Sequence, residues 1–255
     1  MTLIMQATVA KSDKLIPYPF VVVTTDTRTI TRRLYLNNFE FDETILKSRD
    51  DSCNKVNRIS DNVLICRGGT ADASEPMQDF IIGKADKSYY LEDFESIVKD
   101  GYKHLKETGD DVIKHFIDTD SVFISLVGFY KNGTPGTVKL GLNGEIEKTE
   151  VSPDMNGYNV FSPTKDIAER QDELLNFGES PFLPLLSQGG NAVDVYFNHL
   201  LMVHSIVASQ EVETISGTCL VHILVKGDNE TNYECHEVDL TEQIKQIQQQ
   251  HQEAT

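Results

Sequence analysis

Short β-branched apolar runs alternate with longer amphipathic stretches along this 255-residue chain. Residues 2–10 and 20–25 are nearly continuous apolar runs with β-branched members. The proline-containing polar connector between them predicts a hairpin with a long loop. Residues 27–54 are polar and charged, with one exposed strand expected around Arg28–Leu36. Two short strands are expected near 56–60 and 62–67, joined by a tight turn at Asp61-Asn62. Beyond them, Thr70 or Asp72 can cap a helix reaching Ile82. Phe94, Ile97, Val98, Tyr102 and Leu105 recur at helical spacing, which predicts a helix over 91–107. A further helical turn is expected over 110–116.

The strongest strand signal is 121–130, which returns through Asn132-Gly-Thr-Pro-Gly as a strand over 137–142, with Asn143-Gly as the next turn. Helices are expected over 164–177 and 191–209. The second is apolar nearly all round and so belongs between layers. Residues 218–225 and 232–238 read as a final hairpin. The Gln-rich stretch from Leu240 reads as a frayed helix or a disordered tail. Helices come in pairs rather than singly between strands. That order argues for an α+β fold with antiparallel sheets and against a parallel βαβ sheet. One domain over 1–240 with a polar tail over 241–255 is expected.

Composition narrows the partners. Apolar content of 39% supports a substantial core. A net charge of −17 repels phosphate backbones, so no nucleic-acid partner is expected. No apolar run approaches the roughly 20 residues that span a bilayer, so no membrane partner is expected either. The four cysteines form no CxxC pair and the seven histidines are scattered, so neither metal nor other cofactor is expected. Residues 1–6 lack a basic leader region, and reduced thiols in a cytoplasmic protein follow as the expectation.

The stretch Lys55-Val-Asn-Arg-Ile-Ser-Asp-Asn-Val-Leu-Ile-Cys-Arg-Gly-Gly-Thr-Ala-Asp-Ala73 carries the chemistry. A lysine, two short strands and a Gly-Gly pair opening a helix provide a cation and unobstructed backbone N–H groups. Acyl transfer needs both, one to tune a nucleophile and the other to hold an oxyanion. Each residue also has a plain structural reading: Lys55 as a surface lysine, and Gly68-Gly69 as a strand-to-helix turn.

This stretch resembles the proteasome family of N-terminal-threonine peptidases, within the N-terminal-nucleophile hydrolases. The resemblance runs over roughly residues 2–240, with the specific signal in about thirty of them. It implies a four-layer αββα sandwich of two antiparallel sheets between helix layers. Thr2 begins the first strand and would be the nucleophile once Met1 is removed, with its own α-amine as base. Asp26 stands where the family has its aspartate, Lys55 where it has its lysine, and Gly69 at the oxyanion glycine. Glu213 and Ser216, in Glu213-Thr-Ile-Ser-Gly217, resemble the segment beside the threonine amine, with glutamate in place of aspartate. Arg67 and Gly68 are candidate substrate-binding residues, and Arg67 would favour acidic substrate side chains. The implied partners are a peptide or unfolded-protein substrate and further subunits, identical or related, in a ring. Two other readings stay open: an inactive structural subunit of this kind, and an N-terminal-nucleophile amidase acting on a small amide.

Overall fold

The computed structural model describes residues 3–12, 15–35, 40–119, 121–152, 156–161, 175–210 and 215–253. The fold is α+β and is organised as two compact units. The central unit is continuous, Arg28–Glu150; the terminal unit joins Thr2–Thr27 to Val151–Thr255.

In the terminal unit, β1 (Ile4–Val9) and β2 (Phe20–Asp26) form the expected long-looped hairpin. They lie inside a five-stranded antiparallel sheet of order β10-β1-β2-β11-β12, with β10 spanning Asn156–Phe161, β11 Thr218–Lys226 and β12 Thr231–Asp239. Residues of alternate parity on β1, β2 and β11 share one face. Leu3, Met5, Ala7, Val22, Val221 and Ile223 thus pack into one cluster with helix α5 (Ala192–Gln210). Phe20 meets the α5 residue Tyr196 edge-on, with ring centroids 5.3 Å apart, and Phe177 stacks on the same ring at 4.0 Å. A short helix α4 (Leu183–Ser187) precedes α5. The Gln-rich segment is a regular helix, α6 (Thr241–Glu253). Ile244 is buried in the same cluster, and the Gln248 amide donates to the Ser209 carbonyl at 3.0 Å. The expected helix over 164–177 falls largely on residues outside those described; Phe177–Glu179 form one 3₁₀ turn.

In the central unit, β3 (Thr29–Tyr35) and β4 (Glu40–Asp50) pair as a separate two-stranded sheet, one strand more than the polar sequence suggested. A five-stranded antiparallel sheet follows, β5-β6-β7-β8-β9 in order: Val56–Arg58, Val63–Gly69, Val122–Phe129, Pro135–Leu140 and Ile146–Glu150. Strand β8 starts at Pro135, inside the stretch that reads as a turn, because the turn closes earlier, with Tyr130 N–H bonded to the Thr134 carbonyl. Helices α1 (Ala71–Ile82), α2 (Leu91–Thr108) and α3 (Asp111–Asp118) cover one face through Met77, Ile81, Phe94, Val98 and Phe116. Asp110 caps α3 by accepting from Ile113 N–H at 2.9 Å, whereas Thr70 precedes α1 without a side-chain cap. No helix among the described residues is long and apolar enough to cross a membrane.

Candidate functional site

The candidate residues fall on both units, and they sit at strand ends. Thr2 and Glu213 lie outside the described residues. In the terminal unit, β2 ends at Asp26, whose carboxylate is fully buried. A buried carboxylate needs hydrogen-bond donors to offset lost hydration. Leu3 N–H supplies one at 2.8 Å, and Asp26 N–H in turn donates to the Leu3 carbonyl at 3.2 Å. Both ends of residue 3 are therefore held by Asp26, one residue after the candidate nucleophile. Ser216 is buried beside the next residue along. Its hydroxyl donates to the Thr218 carbonyl at 2.7 Å and accepts from Thr27 N–H at 3.0 Å. Since that hydrogen is committed, the Thr27 hydroxyl, 3.0 Å away, is the donor of the pair. Ser216 thus fixes the turn that follows Asp26.

In the central unit, Lys55 is only 2% exposed, so the surface-lysine reading does not hold. Its ammonium donates to the Arg28 carbonyl at 2.7 Å, and its own carbonyl accepts from Arg67 N–H at 2.9 Å. A buried ammonium carries a large desolvation cost and persists only where the protein supplies acceptors. Gly69 closes β6 with φ of +79°, a conformation that favours glycine. A β-carbon there would overlap the Ser121 carbonyl oxygen, which accepts from Thr70 N–H at 2.9 Å. The glycine is therefore demanded by backbone geometry, and Gly68 precedes it in register with Phe123.

Arg67 differs from the expectation of a cation awaiting an acidic substrate group. It already pairs with Glu75 at 2.8 Å and donates to the Cys53 sulfur at 3.4 Å. Its Nε is buried without a hydrogen-bond partner among the described residues. Cys66 precedes Arg67 in the strand and so points to the opposite face. It is fully buried and cannot join Arg67 in lining one pocket.

Three buried histidines of the terminal unit, His199, His204 and His222, escaped the sequence reading. The His204 Nδ1 lies 3.5 Å from the Cys219 sulfur, and His222 Nδ1 shares a 2.9 Å hydrogen bond with the Tyr233 hydroxyl. Burial pushes the Cys219 thiol above its ordinary range and keeps it protonated. Burial likewise pushes His222 down to about 4 and lowers His199, so both are neutral near pH 7. An isolated histidine on an apolar helix reads as core, and its signal would have been the all-round apolar pattern of 191–209. Among the described residues, no group of three or more His, Cys, Asp or Glu side chains is arranged to hold a metal ion.

Comparison of the chain with protein-family models and with curated proteins returned no match.

Proposed function

We propose that the protein is a threonine-type amide hydrolase of the N-terminal-nucleophile kind, resembling a proteasome β subunit, with the four-layer αββα arrangement of that class. The observation that carries this reading is the buried Asp26 carboxylate holding the main chain of Leu3, the residue that follows Thr2 in the sequence. Two further features support it: a lysine buried rather than solvated at position 55, and a left-handed Gly69 at a strand-to-helix junction.

In this mechanism the free α-amine of Thr2, with an ordinary pKa of about 7.7–8.0, takes the proton of the Thr2 hydroxyl. The hydroxyl oxygen attacks the substrate carbonyl while the Lys55 ammonium favours the developing alkoxide. Gly69 N–H donates to the resulting oxyanion, a contribution of roughly 2.7–4 kcal/mol per donor. The amine leaves with the proton, and water hydrolyses the ester. Arg67 is paired with Glu75, so any substrate side chain beside it meets an ion pair rather than a lone positive charge. The substrate is a peptide or unfolded protein, the working form a ring of identical or related subunits, and the location cytoplasmic.

Two observations favour the second reading, an inactive structural subunit. The Ser216 hydroxyl hydrogen is used internally, and the Lys55 ammonium donates to a backbone carbonyl. Intact-mass measurement and turnover of fluorogenic peptide amides separate the two. Loss of Met1 with turnover abolished in Thr2→Ala supports the hydrolase. A retained Met1, or turnover undiminished in Thr2→Ala, excludes Thr2 as nucleophile.

A further inference from the structure

Four large apolar side chains stand out as exposed among the described residues, and two of them line one cleft of the terminal unit. Leu15 (52% exposed) and Tyr18 (40%) both belong to the β1–β2 loop. Soluble proteins rarely cluster exposed apolar groups without a use for them. Here the pair borders a cleft of about 550 Å³, floored by Ile16, Phe20, Leu186 and Ala192 and walled by Val193 and Val225. That volume lies within the roughly 300–1,000 Å³ of clefts that take small ligands.

The cleft is held open by its backbone. Gly189 has φ of +84° and no atom within 4 Å of where a β-carbon would stand, so no side chain closes that wall. Gly190 is packed too tightly for one, with the Leu185 carbonyl oxygen 2.8 Å away. The N–H groups of both glycines are already spent, on the Leu186 and Leu185 carbonyls. The Asn191 Oδ1 accepts from Val193 N–H at 3.0 Å, which leaves its amide NH2 as a donor at the mouth of the cleft. The interior therefore offers contact area and few free donors, which suits apolar side chains rather than a polar metabolite.

The rim is acidic. Asp228 lies 3.4 Å from the Tyr18 hydroxyl, Glu230 belongs to the same turn, and Asp194 follows Val193 at the start of α5. All three are exposed, and Lys226 is a half-buried cation beside them. The terminal unit as a whole has 6 Lys and Arg against 18 Asp and Glu. We infer that this cleft docks a segment of a partner protein in which adjacent large apolar side chains are flanked by lysine or arginine. The apolar pair fills the cleft, and the flanking cations meet Asp194, Asp228 and Glu230. Such complementarity favours capture of the right partner and rejects acidic ones. The inference does not depend on amide hydrolysis.

The test is fluorescence anisotropy of the full chain with three labelled peptides: Arg-Arg-Leu-Phe-Arg-Arg, Glu-Glu-Leu-Phe-Glu-Glu and Arg-Arg-Gly-Ser-Arg-Arg. The first is expected to bind at least about tenfold more tightly than either control, the difference expected when one well-placed apolar contact is worth 1.4 kcal/mol. Leu15→Ser and Val193→Trp should each weaken it by about tenfold, one by removing contact and the other by filling the space. Asp228→Lys should weaken it several-fold and flatten its salt dependence. Leu15 and Asp228 are surface positions, so those two variants report on binding even if Val193→Trp fails to fold. Equal binding of the first and third peptides would overturn the apolar anchor. Equal binding of the first and second would overturn the charge selection and leave a general apolar cleft. Unchanged affinity in Leu15→Ser would place the peptide elsewhere.

Discussion

The two units share a plan and differ in what they bury. Each has a five-stranded antiparallel sheet with helices packed on one face, and in each a candidate residue closes an interior strand: Asp26 on β2, Gly69 on β6. The central unit buries Lys55 just ahead of β5 and fills its helix-side core mainly with apolar residues. The terminal unit instead admits His199, His204 and His222 into its interior, all neutral near pH 7 or held against a neighbour. Strand ends are where backbone pairing stops, so a polar side chain placed there can reach main-chain groups without breaking a ladder. Burial in mid-helix and mid-strand holds His199 and His222 neutral, so acid sensitivity is expected to centre on the terminal unit.

The sharpest way to break this comparison is at Gly69. Gly69→Val should destabilise by on the order of 4 kcal/mol, combining a left-handed β-branched residue with overlap against Ser121. The denaturant midpoint checks it, and a wild-type midpoint would mean that the β6–α1 junction is not held as described. Next comes pH. The His222 folded-state pKa lies near 4, below its ordinary 6.5, so the unfolded chain binds the proton first. The contribution of His222 to stability is full above pH 6.5, falls as pH drops through the window from 6.5 to 4, and levels off below it. That loss amounts to about 3 kcal/mol at most. His222→Gln should remove its share of the slope, and urea melts at pH 7 and pH 4 measure the difference. A slope equal to wild type would show that another group carries the acid sensitivity.

A smaller effect sharpens the strand-end half of the comparison. Ser216→Ala strips a buried hydroxyl that bonds Thr27 and Thr218, and should cost about 1–2 kcal/mol in thermal unfolding. The smallest effect is expected at Glu75→Ala. Glu75 is half exposed, so its pairing with Arg67 should be worth less than about 1 kcal/mol and should weaken further in salt. A larger loss there would mean that Arg67 depends on that partner to remain buried.

Much of the fold was legible in the pattern of apolar positions. The runs at 20–25 and 121–130 are buried strands, and the helical spacing of Phe94, Val98 and Leu105 marks the face of α2 that enters the core. Strand β4 was not, because a two-stranded hairpin needs no apolar alternation to pair its backbone. For α6 the composition left a frayed helix and a disordered tail both open; Ile244 and the Gln248 amide tie down the polar segment, and these tertiary contacts decide for the helix. For the candidate site, it was the resemblance to the proteasome family that pointed to Asp26, Lys55 and Gly69. Spacing says nothing about partners, so neither the Arg67–Glu75 pair nor the internal use of the Ser216 hydroxyl was visible.

The terminal unit is assembled from both ends of the chain, and this bears on how it is made. Strand β2 pairs with β11 across a gap of about 190 residues. At a synthesis rate of about 5–20 residues per second, the β1–β2 hairpin leaves the ribosome roughly 10–40 s before its partner exists. Meanwhile the central unit, a continuous stretch, can close on itself. Until β10 and then β11 emerge, the two apolar strands have no further strand to join, and long-range pairing is the slow step of such topologies. Slowed translation beyond Glu150 should therefore raise aggregation of nascent chains more than slowed translation before Arg28.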